Sequence, residues 1–211
     1  MEENDNNPIE KNVKIILLGE NGVGKSSIIV RYFMNEFNEN MKSTFGATFV
    51  IKKINKGGIT YKLNIWDTTG QEKYHSVTKL FLQSAHIAIL VYSIDKIDSL
   101  KKLDFWNKTI KEYYGEKIIL AVVGNKTDLI DSDNDDQVDD DDAEKYAKSI
   151  KAIFRLVSAK TDQKGINSLF EEVLDKFIDS CDKIHSDLYE ESIKIEKKKI
   201  KKKGEKKGCC N

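Results

Sequence analysis

Apolar residues in this chain fall into short, nearly unbroken runs separated by polar, glycine-containing stretches. Val13, Ile15, Ile16, Leu17 and Leu18 form the first run, and His86 to Tyr92, Lys117 to Val123 and Ala152 to Val157 form three more. Runs of this kind suit strands buried on both faces, as in a parallel sheet. Thr48 to Asn55 and Thr60 to Trp66 are also strand-like, and Lys56-Gly57-Gly58 between them is a hairpin signal. Helical stretches separate the strands: Ser27 to Met34, Ser99 to Tyr114, Ala143 to Ile150 and Ile166 to roughly Leu188, with Glu72 to Ser84 weakly helical. Asn35 to Ala47 is polar and reads as a loop. Strands alternating with helices after one hairpin predict an α/β fold, a six-stranded, mostly parallel sheet with helices on both faces. Ligands of such sheets bind at the C-terminal strand ends.

Every motif of chemical interest follows a strand at that end. Gly19 to Ser26, GENGVGKS, fits the phosphate-binding P-loop pattern between a strand and a helix. Gly19, Gly22 and Gly24 allow close approach of the backbone to phosphates, with Glu20, Asn21, Val23 and Ser27 in the same turn. Lys25 would reach the β- and γ-phosphates, and the Ser26 hydroxyl would ligate Mg²⁺. Asp67 and Gly70 follow the strand ending at Trp66, where an Asp can hold the Mg²⁺ water shell and a Gly N–H can meet a γ-phosphate. Gln71 comes next, where an amide could orient an attacking water. Asn125, Lys126 and Asp128 end another strand. A carboxylate there accepts from both the N1–H and the exocyclic amine of guanine, a pattern adenine lacks. Lys126 would lay its methylenes over the base. Ser158, Ala159 and Lys160 end the last strand, where a backbone N–H could meet the guanine O6.

Charge separates a body from a tail. Residues 192–211 hold nine Lys against Glu196 and Glu205, a net of +7, which leaves −7 on residues 1–191 because the whole chain is neutral. Such asymmetry points to a membrane surface or nucleic acid at the tail. The tail ends Gly208-Cys209-Cys210-Asn211. With Cys181 these are the three cysteines of the chain, a set that suits a reducing compartment rather than a disulfide framework. No apolar run approaches the ~20 residues of a spanning helix. The N-terminus, MEENDNNPIE, is polar and acidic, unlike a signal peptide, and lacks the Gly that myristoylation needs. The expected organisation is a disordered extension over residues 1–11, one domain over 12–182 and a basic tail over 183–211. The acidic run Asp131 to Asp142 lacks the Gly and terminal Glu of an EF-hand and reads as a solvated insertion whose last Asp residues favour a helix start.

These residues together resemble the Ras superfamily of small GTPases and, within it, the Rab family. The likeness covers residues 12 to about 180 and the character of the tail. Its segments are Phe45 to Phe49 (FGATF), Lys62 to Glu72 (KLNIWDTTGQE), Lys73 to Thr78 (KYHSVT) and Leu90 to Asp95 (LVYSID). FGATF is most similar to the early-endocytic branch. The resemblance implies a P-loop NTPase fold of the small-GTPase type, GTP, GDP and Mg²⁺ as ligands, and slow hydrolysis of GTP in vesicle traffic. It implies Thr44 as a further Mg²⁺ ligand, Phe37 packed on the guanine, and an effector face of Phe45, Gly46, Phe49, Trp66 and Phe81. Core packing is the other reading of Phe49, Trp66 and Phe81. The implied partners are an exchange factor, a GTPase-activating protein, effectors and a GDI or escort protein. The implied location is the cytoplasmic face of endomembranes, endosomal by branch, with cycling through the cytosol. Cys209 and Cys210 resemble the paired prenylation sites of Rabs. Two lipids plus a polybasic stretch make a stable anchor, which favours a membrane over nucleic acid as the tail's partner.

Asn21 stands where the family mostly has a small residue, Thr69 where most members have Ala, and Phe81 replaces the usual Tyr. The first two leave open a GTP sensor that scarcely hydrolyses. Only Arg31 and Arg155 are present, and neither lies in the loop of a cis arginine finger. Intrinsic turnover below about 10⁻² s⁻¹ is therefore expected, with a partner supplying roughly 10³- to 10⁵-fold. The same scarcity of arginine argues against a P-loop phosphotransferase.

Overall fold

The computed structural model describes residues 9–41, 44, 47–68, 81–115, 117–130 and 134–183. Six strands form one sheet in the order β2-β3-β1-β4-β5-β6. They are β1 (Glu10–Leu18), β2 (Ala47–Lys56), β3 (Ile59–Thr68), β4 (Ile87–Ser93), β5 (Ile119–Asn125) and β6 (Ile153–Leu156). β2 pairs antiparallel with β3, and every other pairing is parallel. The hairpin turns at Gly57 and Gly58, with φ of 58° and 74°, which places both residues in the left-handed region of a two-residue turn. β4 is buried at all seven positions and β5 at six of seven, as unbroken apolar runs in the middle of a sheet require.

The helices are α1 (Lys25–Met34), α2 (Ile97–Lys101), α3 (Leu103–Tyr114), α4 (Asp140–Ser149) and α5, which runs from residue 163 to residue 183, the last described. Side chains alternate across the sheet. Ile16, Leu18, Ala88, Leu90, Tyr92 and Val122 face a core completed by Leu103, Trp106 and Ile110 of α3 and by Ala143 and Ala147 of α4. α1 lies on the opposite face: Lys52 of β2 donates to the Tyr32 carbonyl at 2.8 Å and sits 3.6 Å from that ring's centroid. Tyr32 in turn stacks on Phe170 of α5, with centroids 3.9 Å apart.

Several boundaries differ from the sequence expectation for identifiable reasons. β1 starts at Glu10, earlier than the expected domain start, because Glu10, Lys11 and Asn12 find partners in Thr60, Tyr61 and Lys62 of β3. The helix expected over 99–114 starts at Ile97 and breaks at Lys102, where the Phe105 N–H bonds the carbonyl three residues back at 3.2 Å. α4 begins three residues early because Asp139 caps it, its carboxylate accepting from the N–H groups of Asp141 and Asp142 at 2.8 and 3.3 Å.

Candidate functional site

A cavity of about 370 Å³ opens at the C-terminal strand ends. It is lined by Asn21, Gly22, Gly24, Lys25, Ser26 and Ser27 of the turn after β1, by Phe37, Asn38, Glu39, Met41 and Thr44 of the loop after α1, and by Thr68. Asn125, Lys126, Asp128, Leu129, Ala159 and Lys160 close its other end. Residues of the P-loop and of the motifs at 125–128 and 158–160 therefore meet in one place, although they are spread over 140 residues of chain.

At the phosphate end, Gly24 caps α1 in a left-handed conformation, φ 94°. A Cβ there would run into the Asn125 side-chain amide. That amide is itself fixed, donating to the Val23 carbonyl at 2.9 Å while the Asn125 Oδ1 accepts from the Ala159 N–H at 3.0 Å. Asn125 thus ties the P-loop to the turn after β6. Gly24→Ala adds a backbone strain of about 2 kcal/mol to that collision. It should lower both nucleotide affinity, by tenfold or more, and the melting temperature, as titration and thermal denaturation would show.

Lys25 is buried, and its ammonium donates to the carbonyls of Gly19 and Glu20 at 2.8 and 2.7 Å. Burial pulls its pKa down to about 8, against weaker opposing pulls from Asp67 and Glu20. Because the unfolded lysine titrates near 10.5, between pH 8 and about 10 the unfolded chain binds more protons than the folded one. Stability of the nucleotide-free protein should therefore rise with pH across that window. Lys25→Met should abolish the rise, as urea denaturation at pH 7.5 and 9.5 would reveal.

Beside the P-loop three oxygens converge. The Ser26 hydroxyl donates to Asp67 Oδ2 at 2.5 Å and lies 2.6 Å from Thr44 Oγ1, which also reaches Asp67 Oδ2 at 3.3 Å. Asp67 is 5% exposed, and burial pushes its carboxyl above the ordinary range. Its second oxygen, Oδ1, is buried and has no hydrogen-bond partner among the described residues. A buried carboxylate with a spare oxygen next to two hydroxyls is a donor set of the kind hard divalent cations take, so the residues present fit Mg²⁺.

At the other end, Asp128 faces the cavity and accepts a short hydrogen bond from the Ser158 hydroxyl. Ser158 Oγ also accepts from the N–H groups of Lys160 and Thr161, both at 3.1 Å. Lys126 holds a left-handed backbone, φ 71°, and its ammonium lies 4.0 Å from Asp95. Arg31 was not singled out as a site residue by sequence reasoning. Its guanidinium donates to the carbonyls of Ala159 at 2.7 Å, Lys160 at 2.6 Å and Asn35 at 3.0 Å, and so pins two walls of the cavity to α1. Lys160 and Glu39 form an ion pair at 2.7 Å between the same walls. Gly70, Gln71, Phe45, Gly46, Cys209 and Cys210 lie outside the described residues.

Phe49, Trp66 and Phe81 form a continuous row on the sheet. Phe49 stacks on Trp66 with centroids 5.1 Å apart, and Trp66 meets Phe81 at 5.5 Å. Trp66 and Phe81 lean on the core, while Phe49 is 53% exposed, so core packing accounts for only part of the row.

A sequence profile of the Ras family matches residues 14–179. The chain belongs to the Ras family. Its similar relatives include a Ras-related protein Rab-21 of Homo sapiens, 40% identical over 80% of this chain and 73% of the relative. The Ras-related protein Rab-21 of Geodia cydonium is 40% identical over 79% of this chain and 71% of the relative. A Ras-related protein Rab-31 of Mus musculus is 40% identical over 77% and 82% respectively. This Ras-family protein is a Rab-type GTPase, and the six-stranded sheet described above is its GTPase domain. Among the described residues no helix is long and apolar enough to cross a membrane.

Proposed function

We propose that this protein is a GTP- and GDP-binding switch of the endosomal branch of Rab traffic, held on membranes by lipids on Cys209 and Cys210. The single observation that carries the nucleotide reading is the cavity with Lys25, Ser26 and Thr44 at one end, the last two bonded to Asp67, and Asp128, held by Ser158, at the other. In this reading the N–H groups of Gly22, Val23, Gly24, Lys25, Ser26 and Ser27 receive the phosphates, joined by the backbone of Glu20 and Asn21 after Gly19. Mg²⁺, when bound, supplies neutralisation of the phosphate charge. Ser26 and Thr44 would ligate it directly and Asp67 through its water shell. Phe37 and Lys126 enclose the base, Asp128 reads its donors, and the turn Ser158-Ala159-Lys160 borders its O6.

Gln71 orients the attacking water, and Gly70 donates its N–H to the γ-phosphate. Loss of that phosphate releases the segments around Thr44 and Gly70 and so alters the face made by Phe45, Gly46, Phe49, Trp66 and Phe81. An exchange factor, a GTPase-activating protein, effectors and a GDI or escort protein act on this cycle. The endosomal placement rests on the 40% identity to relatives named Rab-21 and Rab-31.

The test is localisation. Tagged protein should concentrate on endosomal membranes, and Cys209→Ser with Cys210→Ser should shift it to the cytosol while leaving GTP affinity unchanged. A single replacement should fall between, because one lipid plus basic residues is a weaker anchor. Retention of the double variant on membranes in a fractionation would overturn the lipid reading.

A further inference from the structure

Two turns face each other across the base end of the cavity. The one after α1 is built around Asn38, whose Oδ1 accepts from the Asn40 N–H at 2.9 Å and whose carbonyl accepts from the Met41 N–H at 3.3 Å. The one after β6 is built around Ser158. Its hydroxyl oxygen accepts from the Lys160 and Thr161 N–H groups, and its carbonyl from the Asp162 N–H at 2.8 Å. Arg31, half-buried on α1, joins the two turns through the carbonyls of Asn35, Ala159 and Lys160. The Lys160 ammonium joins them again at the lip, 2.7 Å from Glu39 Oε1, with the two side chains 46% and 66% exposed. Both residues line the cavity. Glu39 holds the Lys160 ammonium above its ordinary pKa, and Asp128 adds a weaker pull in the same direction. The group that spans the lip therefore lies close to the carboxylate assigned to the base.

We propose that Lys160 and Glu39 form a clasp over the base end of the cavity and set how fast nucleotide enters and leaves it. The inference rests on the nucleotide reading above and deepens it by assigning two positioning residues to nucleotide exchange. Phe37 precedes Glu39 by two residues and Ala159 precedes Lys160 by one, and all four line the cavity. The pair thus ties together the two walls between which a base would lie. Exposed ion pairs are weak in general, because two long side chains give up their freedom for a screened attraction. Here each turn is held by its own hydrogen bonds, and Arg31 fixes the Lys160 backbone, so less freedom remains to be lost. A weak bond suits the role, since a closure that opens readily lets a ligand pass without unfolding the walls. The pair joins protein to protein and not protein to ligand. Its loss therefore lowers the barrier for entry and exit alike and leaves the binding equilibrium nearly unchanged.

The test is the exchange kinetics of a fluorescent GDP on the full chain, followed by stopped flow. Glu39→Gln and Lys160→Gln should each raise the association and dissociation rate constants together by about two- to fivefold, the range an exposed ion pair supplies, with Kd nearly unchanged. The double variant should add little to either single one, because both remove the same bond. Lys160→Arg should keep the unmutated rates, since a guanidinium can pair with Glu39 in the same place. Raised salt should speed the unmutated protein toward the variants. Faster dissociation alone in Lys160→Gln, with Glu39→Gln silent, would make Lys160 a direct contact of the nucleotide and overturn the clasp. Unmutated rates in both single variants would also overturn it and leave the nucleotide reading standing. Failure of the unmutated chain to bind the fluorescent GDP would overturn that reading and the clasp with it.

Discussion

Asp128→Asn is expected to lower GTP affinity on the order of 10³- to 10⁴-fold and to make xanthosine triphosphate the preferred ligand. Asp128 Oδ1 accepts from the Ser158 hydroxyl, and that bond can survive the substitution because the Asn retains an acceptor at the same place. What changes is the atom turned to the base. The carboxylate accepts from the N1–H and the exocyclic amine of guanine, whereas the amide nitrogen donates and would face those donors unpaired. Xanthine carries a carbonyl where guanine has its amine and restores the pairing. Competition of GTP, XTP, ITP and ATP against a fluorescent GDP measures the switch, with thermal denaturation to show that the variant folds. Equal affinity of the unmutated protein for ATP and GTP would remove the guanine assignment altogether.

Ser26→Asn should weaken Mg²⁺ retention by about 10- to 100-fold, with GTP affinity falling more than GDP affinity. Ser26 Oγ stands within hydrogen-bond distance of both Thr44 Oγ1 and Asp67 Oδ2, so the three oxygens share a space too small for a longer amide. Displacing one disturbs the other two, and Asp67 Oδ1 is left buried without a counter-charge. The measurement is nucleotide release with Mg²⁺ and with EDTA. EDTA should accelerate release from the unmutated protein and add little in the variant. An unchanged response to EDTA would show that Ser26 is not a metal ligand.

Much of this fold is written in the chain's periodicity. β4 and β5 are unbroken apolar runs, Gly57-Gly58 marks the hairpin, and each chemical motif follows a strand, so the cavity's walls are legible in the order of residues alone. Phe49, Trp66 and Phe81 left two readings open; the register of β2 with β3 brings Phe49 to Trp66, the ring contact of Trp66 with Phe81 completes the row, and Phe49 stands out from the core. Other features gave no local signal. Arg31 is one polar residue on a helix, and its partners Ala159 and Lys160 lie 128 and 129 residues away. Asn125 resembles a base reader but spends both ends of its amide on Val23 and Ala159, 102 and 34 residues distant. The start of β1 at Glu10 escaped because polar residues at a strand end pair through backbone and ion pairs, not through apolar pattern. The break at Lys102 escaped because it is a tightened turn within an otherwise continuous helical sequence.

Placing one cavity across the ends of several parallel strands ties ligand binding to the order in which the chain assembles. Ile15 pairs with Ile87, Leu17 with Asp67, and Gly124 with Leu156, so no short segment holds enough of the cavity to grip a nucleotide. The loops enclosed by these pairings must all close first, which makes the finished cavity a late product of folding. A ligand that recognises only that product adds to its stability by mass action, about 4 kcal/mol at a thousandfold excess over Kd. The empty protein is then the form most exposed to proteases during exchange. A nucleotide would act as a cofactor for the chain's survival as well as for its signalling.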